Sequence, residues 1–377
     1  MMFRDCIGQE EVASRLIAAH GEGRVAHAQL FLGPEGSGNL SVALAYAQFL
    51  FCPNKTETDS CGVCPTCQKV SSLQYADLFF SFPIINKGPS NNPSVSDDYL
   101  ADFRAAVLGH PYMDCDYWFS EMGSDGRQGI FSVREALSII RKVSMKGFES
   151  PLKIMVIWMA ELIKVDTANK LLKVLEEPPE NTLFFLVANQ ADQILPTVMS
   201  RVQVMRVNRL SDEVIAQHLL IRGVAAERAQ AIAHYSAGNW WRAQSMADDE
   251  DDGTDTAELF QNWMRACYTR SMAEITAWIN TLSEWTREEQ KQFMLYALEQ
   301  VRQNIVLNYA GPGLTRLNEG EAEFSKKFSR FINDLNAEDL MSELGRAHMD
   351  ISRNVNSKMV LMDLSLKVHR MLRRTLQ

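Results

Sequence analysis

Over its first two hundred residues the chain alternates short apolar runs with stretches whose apolar positions recur at helical spacing. That alternation is the mark of a parallel sheet covered by helices on both faces. The predicted strands are AQLFL (28–32), ADLFF (76–80), KIMVIW (153–158), TLFFLVA (182–188) and VQVMRV (202–207). Ala168, Leu171, Leu172 and Leu175 share one face of a helix that Asp166 is placed to cap and Pro178-Pro179 ends. Residues 83–130 break the pattern. There Gly, Pro, Ser and Asn surround one helical stretch, DDYLADFRAAVL, which reads as a surface insertion.

Beyond the predicted sheet the strand signal disappears. Three short helical segments over 211–248 predict a small helical lid, 209–248. The acidic run Asp248-Asp249-Glu250-Asp251-Asp252-Gly253 predicts a solvated linker over 249–255. Residues 256–377 show helical periodicity throughout, with Phe293, Ala297, Val301 and Ile305 at four-residue spacing as bundle core. The expected architecture is α/β, a parallel-sheet base domain over 1–208, then the lid, the linker and an all-α C-terminal domain.

Composition narrows the class. A length of 377 residues allows two or three domains, and 46% hydrophobic with 23% charged residues fits a soluble globular protein. No stretch approaches the ~18 apolar residues of a membrane span, and MMFRDCIGQEEV has no apolar targeting core, so a cytoplasmic location is expected. A net charge of −9 argues against a protein that coats nucleic acid by itself.

Candidate chemistry begins at GPEGSGNL, residues 33–40, which follows a predicted strand and opens a predicted helix. Gly33, Gly36 and Gly38 fit a phosphate-binding loop whose backbone N–H groups face an anion. The lysine such a loop uses is replaced by Asn39 and the Mg²⁺-binding hydroxyl by Leu40. At the end of KIMVIW, where an acidic pair would hold Mg²⁺ and orient water, stand Trp158 and Met159, with Glu161 two residues beyond Met159. Two separate parts of a hydrolytic site are missing together, so ATP is not expected to be hydrolysed.

Cys52, Cys61, Cys64 and Cys67 form C-x8-C-x2-C-x2-C, the ligand set of a closed structural Zn²⁺ site. Cys6, Cys115 and Cys267 stand alone and read as packing residues. Arg134, Arg141, Lys142 and Lys146 share one helical segment, either a solvated face or a phosphate-contacting one. Ser200-Arg201-Val202 precedes the last predicted strand, and an arginine there is either an ordinary surface residue or one delivered in trans to a neighbour's nucleotide.

The run KVDTANKLLKVLEEPPENTLFFLVANQADQILPTVMSR, 164–201, resembles the core of bacterial DNA polymerase III clamp-loader subunits of the AAA+ family. DCIGQEEV (5–12), the phosphate loop, the four-cysteine knuckle and VREA (133–136) extend the likeness over most of 3–208. AGNWWRA (237–243) looks like the family's lid motif, in which Arg242 takes the place of a nucleotide-reading arginine. The degenerate loop together with the knuckle and the Ser-Arg pair is similar to the delta-prime type, although Val202 stands where that family has cysteine. The resemblance implies a non-hydrolysing stator in a pentameric ring joined by C-terminal collar domains. Its partners would be the motor and delta subunits, the sliding clamp and primed DNA, with Arg201 serving a neighbour's ATP in trans. An active ATPase motor subunit and a zinc-containing DNA-binding protein remain the alternatives.

Overall fold

The computed structural model describes every residue except 87–93, 124–128, 249–253, 312, 314, 316, 318, 353–354 and 375–377. The chain forms two compact units, Met1–Asp248 and Asp249–Gln377. The acidic run over 249–253, and the Gly/Pro/Ser/Asn-rich stretches over 87–93 and 124–128, lie outside the described residues.

In the first unit five strands, β1 (Ala28–Leu32), β2 (Leu78–Ser81), β3 (Lys153–Trp158), β4 (Thr182–Ala188) and β5 (Gln203–Arg206), form one parallel sheet in the order β2-β3-β4-β1-β5. The second spans Leu78–Ser81 where the apolar run predicts 76–80, and the fifth spans Gln203–Arg206 where it predicts 202–207. All six residues of β3 are buried, as parallel strands covered on both faces must be. Successive side chains alternate between two cores. Phe31, Phe185, Val187, Ile154 and Val156 face one of them, and Leu30, Phe184, Leu186, Met155 and Ile157 the other.

Helices α1 (Glu10–Gly21), α2 (Asn39–Phe51), α3 (Pro65–Ser71), α4 (Leu100–Gly109) and α5 (Cys115–Glu121) precede α6 (Val133–Ser144) and α7 (Val165–Glu176) in the chain. Residues of α1, α2, α4 and α5 fill the first core, and those of α6 and α7 fill the second. Tyr46 of α2 stacks on Phe185 at 5.5 Å and 13°, which fixes the helix that follows the glycine loop against the centre of the sheet. The cap of α7 is Lys164, without a side-chain bond. Asp166 falls inside the first turn, where its charge favours the positive end of the helix dipole instead of capping it.

The segment 83–130 is no mere surface insertion. Phe103 and Trp118 are fully buried, the Phe103 ring stacks on Phe82 at 3.9 Å, and Trp118 donates its indole N–H to the Pro83 carbonyl at 2.8 Å. The segment supplies a second helix as well, α5, and the buried Glu135 carboxylate of α6 ties down the stretch just before α4 by accepting from the Ser96 N–H at 2.8 Å.

Four further helices complete the first unit: α8 (Pro196–Met199), α9 (Asp212–Ile221), α10 (Ala226–Ser236) and α11 (Trp240–Asp248). The second unit holds α12 (Thr254–Thr269), α13 (Met272–Glu284), α14 (Arg287–Ala310), α15 (Glu319–Phe328), α16 (Ala337–Ser352) and α17 (Ser357–Leu372). Its core includes Phe293, Ala297 and Val301, with Trp263 and Trp278 stacked at 4.5 Å and 3°. Helix α12 starts two residues before the collar's expected beginning at 256. Among the described residues no helix is long and apolar enough to cross a membrane.

Candidate functional site

The glycine loop leaves the carboxyl end of β1, the sheet edge at which open α/β folds bind ligands. Gly36 and Gly38 take φ of +70° and +89°, the left-handed turn that brings the chain into α2. The cradle is therefore built. Its contents come from the chain itself.

Asn39 is the first residue of α2 and is 7% exposed. Its Nδ2 lies within hydrogen-bonding distance of the Gly33 carbonyl (3.2 Å), the Ala188 carbonyl (3.0 Å) and Asn189 Oδ1 (2.9 Å). Its Oδ1 accepts the Leu40 N–H at 2.8 Å, one of the helix-start donors an anion would otherwise satisfy. A side chain that would reach outward as lysine is folded back as a bridge to the end of β4.

Three other segments close over the loop. The Tyr112 ring lies so near Gly38 that a Cβ there would stand 2.6 Å from it, and the Tyr112 hydroxyl accepts the Ile7 N–H at 2.8 Å. Burial pushes the Tyr112 hydroxyl pKa up, keeping it neutral. Ser41 donates to the Pro111 carbonyl at 3.0 Å. From the opposite side, the Trp240 N–H donates to the Gly36 carbonyl at 3.0 Å, and Asn239 packs where any Gly36 side chain would be. Trp241 meets the rings of His110 and Tyr117 at 5.2 and 5.0 Å. Trp158 and Met159 supply apolar lining, and the remaining cavity is about 10 Å³. That is room for about one water molecule.

The structure thus brings Gly36, Gly38, Asn39 and Leu40 together with Trp158 and Met159. Gly33 lies behind them, hydrogen-bonded to Ala188. Arg242 sits half-buried in the first turn of α11 and does not line the cavity. Glu161, the acid nearest the missing pair, accepts the Asn189 N–H at 2.8 Å and does not line the cavity either, while burial raises its pKa. Tyr112 and Asn239 were not singled out from sequence. The apolar Tyr112-Met113 pair inside a polar stretch was the available signal for the first.

Cys52, Cys61, Cys64 and Cys67 bring their sulfurs within 4.8 Å of one another, close enough to share one metal ion. Cys61 and Cys67 are 3.9 Å apart, against about 3.8 Å for ligands of a tetrahedral ion with sulfur bonds near 2.3 Å. The N–H groups of Cys61, Cys64 and Cys67 point at the sulfurs of Cys52, Cys61 and Cys64, each at 3.4 Å. The donor from Cys64 holds the Cys61 thiol pKa well below its usual range, at about 6, while burial pushes the Cys52 thiol up. The knuckle is pinned to the N-terminal segment by Asp59, which accepts from the N–H groups of Phe3 and Arg4 at 3.1 Å each.

Arg201 stands just past α8, its guanidinium paired with Glu176 at 3.1 Å. The four-cation face does not form. Lys146 lies beyond the end of α6, and Lys142 turns inward to Asp97 at 2.5 Å and the Phe80 carbonyl at 3.2 Å.

A family model described as DNA polymerase III, delta subunit, matches residues 8–211. The DNA polymerase III subunit gamma/tau of Mycobacterium tuberculosis is 28% identical over 199 residues, 53% of this chain and 27% of that protein. The DNA polymerase III subunit delta' of Bacillus subtilis is 26% identical over 211 residues, 56% of this chain and 51% of that protein. The chain therefore spans about a quarter to a half of the length of these curated relatives. A DNA polymerase III gamma subunit-related protein of Thermotoga maritima superposes with a TM-score of 0.43 at 13% identity, covering 97% of this chain and 100% of that one.

Truncating Asn39 leaves the Leu40 N–H and the Asn189 amide oxygen without their buried partner. Asn39→Ala is expected to destabilise the first unit by about 2–4 kcal/mol. Thermal melts read this as a drop of roughly 5–15 °C in its transition.

Proposed function

The chain belongs to the DNA polymerase III delta-subunit family of clamp-loader proteins, and from that premise we propose that it is a non-hydrolysing subunit of the delta-prime type. It would act in the cytoplasm as a stator beside the motor and delta subunits, helping to load the sliding clamp onto primed DNA. The observation that carries this reading is the Asn39 amide folded into the phosphate loop, with about 10 Å³ of space left above it. A motor subunit needs that space for a triphosphate, a lysine for its charge and an acid for Mg²⁺. The gamma/tau relatives match the chain as well as delta' does, so overall likeness does not separate the two readings. The chemistry of the loop favours the stator.

Arg201 is the chain's contribution to catalysis on this reading. It is always ionised, 30% exposed at its side chain, and lies outside the closed loop, which suits delivery to a neighbour's ATP. The four cysteines would hold Zn²⁺ as a structural ion, since four thiolates leave no coordination position for substrate. An autonomous DNA-binding role loses support because Lys142 is spent within the fold.

Titration of the isolated chain with labelled ATP and Mg²⁺ is expected to give neither saturable binding nor turnover, and clear hydrolysis favours the motor reading. In a reconstituted loader, Arg201→Ala should leave assembly intact and lower turnover at one ATP site by roughly 10³-fold. Unchanged clamp-loading kinetics would count against the trans role. Elemental analysis should find one zinc per chain, lost in Cys64→Ser together with a lower melting temperature.

A further inference from the structure

We propose that Glu176 is a positioning residue for Arg201, setting which edge of its guanidinium is presented to a partner. The inference rests on the trans-arginine reading above. A guanidinium carries five N–H donors. Arg201 commits three of them within its own chain: Nε to Glu176 Oε2 at 3.1 Å, and Nη1 to the Thr197 carbonyl at 2.9 Å and to Ser200 Oγ at 3.1 Å. Among the described residues nothing accepts from Nη2. The side chain is held on one flank by α7 and on the other by the turn after α8, which leaves the two donors of Nη2 uncommitted on a side chain that is 30% exposed.

Each holder is itself fixed. Glu176 is the last residue of α7, whose Leu171 and Leu175 are buried, and Pro178-Pro179 follows one residue beyond it, after the cap Glu177. Ser200 donates to the same Thr197 carbonyl at 3.2 Å, so its oxygen is oriented to accept from Arg201. This gives the serine of the Ser-Arg pair a physical task. The Glu176 side chain is 60% exposed, and an ion pair so open to water adds little to stability. Its effect is to hold Arg201 in one rotamer before a phosphate arrives, which lowers the ordering cost of the contact.

Lysine cannot reproduce the arrangement, because it has no planar fork to be gripped on one side and presented on the other. Glutamine at 176 can, because its amide oxygen still accepts from Nε.

The test is ATP turnover in the reconstituted loader alongside 15N NMR of the Arg201 Nε–H in the isolated full chain. Glu176→Ala should lower kcat by roughly 10-fold with the KM for ATP changed by less than about twofold, while Glu176→Gln stays within about threefold of wild type. Arg201→Lys should be as slow as Arg201→Ala. In the NMR arm the Arg201 Nε–H should be ordered in wild type and Glu176→Gln, and mobile in Glu176→Ala. Wild-type or faster turnover by Glu176→Ala, in a loader that Arg201→Ala slows, overturns the positioning role. If Arg201→Ala leaves turnover unchanged, the trans reading itself has failed. The NMR arm then still decides the contact, and an equally ordered Nε–H in Glu176→Ala overturns it.

Discussion

The amide of Asn39 joins pieces of backbone that a nucleotide would otherwise hold together. In a working phosphate loop the anion satisfies the N–H groups that open the helix, and the protein alone leaves them facing a cleft. Here the Leu40 N–H is satisfied by Asn39 Oδ1, and Nδ2 of the same side chain reaches across to the Gly33 and Ala188 carbonyls and to Asn189. A buried polar group left without a partner costs about 1–3 kcal/mol, so a closed loop of this shape needs some internal substitute for phosphate. Loss of the lysine and survival of the cradle are then two sides of one substitution, in which the glycine turn stays because it carries the chain from β1 into α2.

Closure follows from the bridge. With the Leu40 N–H satisfied from within, Tyr112, Trp158, Met159 and the polar Asn239 pack on the loop, and the Ser37 hydroxyl stays buried without a partner among the described residues. A bond from the Trp240 N–H to the Gly36 carbonyl then ties residues 209–248 to the sheet. A ligand shifts a conformational equilibrium only by its differential affinity for the two states. On the proposed reading this chain has no nucleotide of its own to provide such a difference, and its response to ATP comes through its neighbours.

Much of this was legible in the sequence, for identifiable reasons. Continuous apolar runs located all five strands, because a sheet covered on both faces tolerates little else. Cysteine spacing located the knuckle, because three of the four sulfurs come from one short turn-rich stretch. The segment 83–130 was misread as surface. Its buried residues Phe103, Tyr112 and Trp118 lie on two short helices and the turn between them, and no period links them, yet each packs on an element distant in sequence. The grip on Arg201 was hidden for a similar reason. Glu176 and Arg201 are 25 positions apart and meet because α7 packs against α8. The inward turn of Lys142 depends on Asp97, a residue of the very segment whose packing the sequence concealed.

The knuckle takes part in the same closure from a distance. Asp59, between the first and second cysteines, accepts from the N–H groups of Phe3 and Arg4, and Gln48 of α2 takes a bond from the terminal amine while donating to Ser60. The N-terminal segment so anchored runs on to Gln9, whose amide donates to the Ser37 carbonyl in the glycine loop at 2.9 Å and to the Asn208 carbonyl at 2.8 Å. Asn208 follows β5 and leads to α9, so one buried side chain links the loop to the start of the helical segment that covers it. Each link is an ordinary hydrogen bond with a modest net contribution. Their common effect is to fix the glycine loop from its N-terminal flank as Asn39 fixes it from the sheet.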